Sequence, residues 1–134
     1  LIGALIMHGW VRRRSVWILP FGTTCCAADL PAAFGPDHDL GRHGARLVYD
    51  AAQADVLVVA GRVTRALAPD LRRLYDAMHE PRGVIAFGTC ACSGGAWVGE
   101  EIPGGADVVI PVDAYVPGCP PPPEMLADAL SRLA

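Results

Sequence analysis

The sequence predicts an α/β fold, an open parallel sheet with helices on both faces, built as a single domain over residues 1–134. Three observations carry this expectation. Short β-branched runs alternate with helical stretches along the chain, the pattern of successive βαβ units. Two of those runs, Asp55-Val-Leu-Val-Val-Ala60 and Gly83-Val-Ile-Ala-Phe87, are almost wholly apolar and are stopped by Gly61 and Gly88, as in strands buried on both faces. A hydrophobic content of 52% in 134 residues is enough for one proper core, and no repeat or internal linker divides it.

The elements follow in order. Val16-Trp-Ile-Leu19 reads as the first strand, ending in Pro20-Phe-Gly22. Cys25 and Cys26 are expected to open a helix running through Ala28 to about Ala33, its unpaired N–H groups facing the sulfurs. Ala45–Tyr49 is the expected second strand, and the two apolar runs are the third and fourth. Between them Pro69–Met78 reads as a helix with Pro69 in its first turn. Leu71, Leu74, Tyr75 and Met78 share one face of it, a stripe that reads as core packing. His79 is expected at its C-terminal end, where a protonated imidazole interacts favourably with the helix dipole. Val108-Val-Ile110 reads as the last strand, and Pro123–Leu133 as a closing helix with Leu126, Leu130 and Leu133 on one side.

Charge excludes more than it suggests. The formal net charge is −3 and the eleven basic residues are all arginine, so nothing points to a nucleic-acid surface. Arg12-Arg13-Arg14 is the one basic run, and it reads as a solvated or partner-facing turn near a subunit or lipid headgroup surface. The segment Leu1–Met7 is apolar but far shorter than the roughly 20 residues a membrane span needs, so contact with a membrane is expected to be peripheral. There is no GxGxxG, no Walker loop and no Ser/His/Asp set, hence no sign of independent hydride- or phosphoryl-transfer machinery.

The five cysteines carry the chemistry. They fall in TTCCAADL (Cys25, Cys26), FGTCACSGG (Cys90, Cys92) and VPGCPPPPE (Cys119), and an odd number at these spacings does not suggest a disulfide scaffold. A reducing compartment with thiolates reserved for metal is the expectation. Each motif follows a predicted strand, so all three lie in loops at the carboxyl ends of strands, where open α/β sheets bind ligands. Four thiolates complete one 4Fe–4S cluster, one on each iron. In an extended segment residues i and i+2 point the same way, so spacing alone leaves Cys90 and Cys92 competing for one ligand place. Cys119 is held between Pro117-Gly118 and the run Pro120–Pro123, which restricts the loop before folding. A structural zinc site with the same four thiolates is the competing reading from another class. The histidines His8, His38, His43 and His79 lack metal-ligand spacing; the Asp37–His43 loop reads as a simple surface loop, with a loop that faces a substrate or partner as the alternative.

Several segments resemble the B-type subunit (20 kDa, PSST-type) of respiratory NADH:quinone oxidoreductase, complex I, in the family shared with small subunits of membrane-bound nickel–iron hydrogenases. The resemblance rests on Ser15-Val-Trp17, Thr24-Cys-Cys-Ala-Ala-Asp29, Gln53–Gly61, Ala68-Pro69, Leu71-Arg72, Tyr75-Asp76, Glu80-Pro81, Gly88-Thr-Cys-Ala91 with Gly94-Gly95, Pro111-Val-Asp113 and Tyr115-Val-Pro-Gly-Cys-Pro-Pro121. It implies a flavodoxin-like fold, and it implies that Cys25, Cys26, Cys90 and Cys119 bind one 4Fe–4S cluster while Cys92 does not. It further implies an electron-transfer subunit that works only in a complex, on the cytoplasmic side of the cell membrane. There the cluster passes electrons to quinone at the interface with a large D-type subunit. In the hydrogenase or formate hydrogenlyase-type relatives the corresponding large subunit holds nickel–iron instead. The chain departs from the complex I pattern at Asp29, at Asp37-His38-Asp39, at Thr64–Leu67 and over Ala96–Ile102, all near where quinone or the large subunit is expected. The adjacent Cys25-Cys26 pair resembles the complex I branch.

Overall fold

The structure is a computed structural model that describes residues 15–133. The expectations for residues 1–7, His8 and Arg12, Arg13 and Arg14 lie outside the described residues. Five strands, β1 (Val16–Gly22), β2 (Ala45–Leu47), β3 (Val56–Ala60), β4 (Gly83–Phe87) and β5 (Ala114–Val116), form one sheet in the order β2-β1-β3-β4-β5. Every neighbouring pair is parallel. This is the flavodoxin-like order, whose topological switch point lies between β1 and β3.

Alternation along each strand divides the core into two layers. Ile18, Val56, Val58, Ile85 and Phe87 face one side, under helix α1 (Cys25–Asp29) and helix α4 (Glu124–Arg132) with its Leu126 and Leu130. Leu19, Leu57, Val59, Val84 and Ala86 face the other, under helix α2 (Ala68–Ala77) and helix α3 (Thr89–Ser93). Leu71 and Met78 of the expected stripe are buried there, with Leu74 and Tyr75 packed against them. Each fully buried Leu, Val or Phe contributes about 1.5–3 kcal/mol. The exposed ion pairs, such as Arg73–Asp70 and Arg132–Asp128, contribute about 0–1 kcal/mol each. The apolar layers therefore hold the fold.

Several expected elements are corrected. Val108–Ile110 is not a strand: Ala106–Val108 form a 3-10 turn, and the last strand is Ala114–Val116. Ile110 and Ala106 are buried beneath the turn while Val108 points to solvent, and Pro111 follows with no N–H to give a ladder. The second strand stops at Leu47, because Tyr49 is 82% exposed and Asp50 caps the next turn by accepting from Ala52 N at 3.0 Å. The helix opened by the paired cysteines ends at Asp29 and continues as a 3-10 segment, Leu30–Phe34, which contains Pro31. At five residues it is too short for a helix-dipole argument. Helix α2 ends at Ala77, so His79 lies beyond its cap, Met78.

Two aspartates tie strand starts together through the same pair of bonds. Asp55 N donates to Trp17 O at 2.8 Å and the Asp55 carboxylate accepts from Trp17 N at 3.0 Å. Asp113 repeats this with Val84, at 2.9 and 2.8 Å. Burial pushes the Asp55 carboxyl above its ordinary 3.8, against the opposing effect of the Trp17 N–H. Its folded value then exceeds its unfolded value, so the native state holds the extra proton between the two. Stability present below the ordinary value falls as pH rises through the folded value. Asp55→Asn keeps an acceptor for Trp17 and is expected to remove this loss near neutrality, whereas Asp55→Ala leaves the N–H unpaired at a cost of about 1–3 kcal/mol. Denaturant midpoints measured across the acidic range check this; an unchanged pH slope in the Asn variant contradicts it.

Candidate metal centre

The carboxyl ends of β1, β3, β4 and β5 all open on one edge of the sheet, and three of them lead into cysteines. Cys25 and Cys26 follow β1 as the first two residues of α1, Cys90 follows β4 inside α3, and Cys119 follows β5. Cys26 and Cys90 are buried; Cys25 and Cys119 are exposed. The last strand moved from its expected position, yet Cys119 still leaves the same edge because the true strand ends at Val116.

Threonines fasten the three segments. Thr89 N donates to Gly118 O at 2.8 Å and Thr89 Oγ1 accepts from Gly118 N at 3.0 Å, so the Cys90 and Cys119 loops are clasped together. Thr23 N donates to Ala60 O at 3.1 Å and Thr23 Oγ1 to Arg62 O at 2.7 Å, joining the Cys25-Cys26 loop to the loop after β3. Sequence reading gave these threonines no role, although each stands between a strand-ending glycine and a cysteine, where a hydroxyl reaches a neighbouring loop. Gly88, at φ 104, is the one place where backbone must yield to sulfur: a Cβ there would collide with Cys26 Sγ. Residues 119 and 120 are joined by a cis peptide bond.

The structure separates the two cysteines that spacing left level. Cys90 and Cys92 lie on a helix, not an extended segment, and two residues of helix turn the side chain by about 200°. Cys90 faces the edge. Cys92 turns into the second core layer, where its thiol donates to Ala86 O at 3.5 Å.

The electrostatics follow this division. Burial and then the neighbouring Cys25, Cys90 and Cys119 thiols push Cys26 up to about 12. Cys90 is also raised, by burial and by Cys119 and Cys25, with Arg62 acting in the opposite direction. For Cys92 the cause is again burial, and the charge beside it is Asp107 rather than another cysteine. Four thiols thus crowd one edge, two of them out of water, and as four thiolates they would repel one another strongly. Such a donor set fits a multivalent cationic group that draws the protons off and offsets the charge. Among the described residues, no three His, Cys, Asp or Glu side chains already form a cage for a single ion.

Beside the cysteines lies a cavity of about 220 Å³ lined by Thr23, Thr24, Arg62, Thr64, Leu67 and Ile102, at the β1/β3 switch point. Thr24 Oγ1 is buried there without a hydrogen-bond partner. The Asp37–His43 loop, by contrast, is split. His38 reaches Glu124 of α4 at 3.8 Å. His43 lines a separate apolar cavity with Val16 and Ala45, the first residues of their strands, at the opposite edge of the sheet from the cysteines. The fold therefore separates His38 from His43.

Comparison with known proteins agrees with the fold. Residues 24–133 match the model of the family described as NADH ubiquinone oxidoreductase, 20 Kd subunit. The chain is 50% identical over 129 residues to the B-type subunit of an NADH-quinone oxidoreductase of Nocardioides sp., covering 95% of this chain and 70% of that protein. The protein of the same name from Desulfovibrio desulfuricans is 49% identical over 124 residues, covering 92% and 68%. Among solved structures, a chain of the membrane-bound sulfane sulfur reductase, an archaeal respiratory membrane complex, superposes with a TM-score of 0.84 at 31% identity, covering 97% of this chain and 73% of that one. A family match over most of the chain, relatives at half identity and a shared parallel sheet lead to one conclusion: the chain belongs to the NADH ubiquinone oxidoreductase 20 Kd subunit family.

Proposed function

We propose that Cys25, Cys26, Cys90 and Cys119 hold one 4Fe–4S cluster and that the chain is the iron–sulfur electron-transfer subunit of a complex I-type NADH:quinone oxidoreductase. The observation that carries the ligand set is the turn of α3, which aims Cys90 at the other three sulfurs and Cys92 away from them. A zinc ion would need every sulfur within about 2.3 Å of one point, whereas a cluster asks each thiolate to reach only its own iron. When bound, the cluster supplies reversible one-electron chemistry. The chain's part is to hold it: Cys26 and Cys90 from the buried side, Cys25 and Cys119 from the exposed side, with the Thr89 clasp limiting movement between two of the loops.

The exposed pair of thiols and the exposed Trp97 and Val98 lie outside the covered core. A large D-type subunit is the cover this reading expects, with quinone meeting the chain near the cavity at the switch point. No described helix is long and apolar enough to cross a membrane. This reading has the chain attach peripherally through partner subunits of a membrane complex, on its cytoplasmic side. The similarity to a respiratory complex named for sulfane sulfur favours a second reading, in which the terminal acceptor is not quinone. In that case the chain is the small electron-transfer subunit of a membrane-bound nickel–iron hydrogenase or formate hydrogenlyase-type complex.

Metal analysis and EPR of the reduced, purified complex test the first reading, with NADH:quinone turnover assayed in parallel. Cys90→Ser is expected to abolish or transform the cluster signal and Cys92→Ser to preserve it; the reverse result overturns the ligand set. A colourless, EPR-silent protein containing zinc would remove the cluster altogether. Hydrogen evolution without quinone reduction would move the chain to the second reading. Gly88→Ala is expected to lower both cluster content and melting temperature, since a residue forced into that backbone region costs about 1–3 kcal/mol before the clash with Cys26 Sγ is counted. Unchanged spin count and melting temperature in that variant would show that the Cys26 sulfur has room to move.

A further inference from the structure

Arg62 occupies a position that the ligand assignment does not use. It sits in the loop after β3, the central strand, between the strand that leads to Cys25 and Cys26 and the strand that leads to Cys90. It is held at both ends. Its carbonyl accepts from Thr23 Oγ1 at 2.7 Å, and its guanidinium carbon lies 4.8 Å from the centre of the Trp97 ring. Trp97 ends the 3-10 turn Gly95–Trp97 just beyond α3, and the first residue of that turn is packed against the site: a Cβ built on Gly95 would lie 3.7 Å from Cys90 Sγ.

The charge on Arg62 has no acidic counterpart among the described residues. Arg42, Arg72, Arg73, Arg82 and Arg132 each have a carboxylate within 4.0 Å, and Arg62 has none. Residues 1–14 contain no Asp or Glu. A guanidinium remains protonated at any working pH, and stacking on an indole face holds it without neutralising it. The Arg62 loop opens on the cysteine edge between the Cys25-Cys26 and Cys90 segments and lines the cavity with Thr23 and Thr24, so the field of this charge falls on that edge.

We propose that Arg62, positioned by Trp97, is a potential-setting residue: a fixed positive charge that raises the reduction potential of the group held by the four cysteines. The inference rests on the cluster reading above. One added electron makes that group more negative, and a cation beside it favours the reduced form. Trp97 is 59% exposed, so a partner that covers it also removes water from the stacked pair and strengthens the effect.

EPR-monitored redox titration of the purified complex tests this with spin count as the control for occupancy. Arg62→Gln is expected to lower the equilibrium constant for one-electron reduction about tenfold, a midpoint shift of about 59 mV. Arg62→Lys should retain most of the wild-type midpoint, and Trp97→Leu should give an intermediate decrease that depends more strongly on salt, as a loosened, hydrated charge does. A wild-type midpoint in Arg62→Gln at full spin count overturns the proposal. If that variant does not assemble, wild-type midpoint and wild-type salt dependence in Trp97→Leu overturn it instead. Absence of any cluster signal in the wild-type complex removes the ligand reading and this inference together, an outcome distinct from a cluster that is present and indifferent to Arg62.

Discussion

Five strands running in one direction place five carboxyl ends on one edge, and the site depends on that alignment. Cys25, Cys90 and Cys119 are separated by dozens of residues in sequence, and no local turn could assemble them. Parallel pairing of β1, β3, β4 and β5 does so without further machinery, because each strand delivers the loop that follows it to the same side. The pairing is held in turn by the two apolar layers that flank β3 and β4, whose ten residues are all buried. Damage to those layers would therefore reach the cysteines through register, even where no core side chain touches sulfur.

Much of this was legible from residue patterns. β3 and β4 were expected at the bounds they adopt, within a residue, because a strand buried on both faces leaves an unbroken apolar run that few alternatives produce. The helix stripe from Leu71 to Met78 was equally plain, since its period matches only one element. Val108–Ile110 misled because three β-branched residues satisfy strand propensity as readily as a turn that buries Ile110, and propensity yields to packing. The real strand, Ala-Tyr-Val, is too short to announce itself.

The site divided along similar lines. That the cysteines gather at one edge followed from strand positions, but spacing alone left Cys90 and Cys92 level: only the family resemblance set them apart, and the physical reason lies in the secondary structure of a five-residue segment. An extended path would have left them equivalent; a little over half a turn of helix sends them to opposite sides. Arg62 and the threonines carried no pattern at all. Their importance comes from contacts across loops that are neighbours only after folding, such as Thr89 with Gly118 and Arg62 with Trp97. His43 shows the converse, a residue five positions from His38 that the fold carries to the far edge of the sheet.

Both outer strands are three residues long. Beyond them the backbone turns away, at Asp50 on one side and at Gly118 on the other. An incoming peptide could form only a rung or two against either, so strand addition, a common way for proteins to recruit extended segments, gains little here. The same brevity protects the free chain from sheet-to-sheet aggregation while it awaits assembly. Among the described residues, the loops and helix faces are what such an edge leaves for contact with another subunit, and recognition there depends on side-chain shape and charge, which discriminates between partners in a way that backbone ladders cannot.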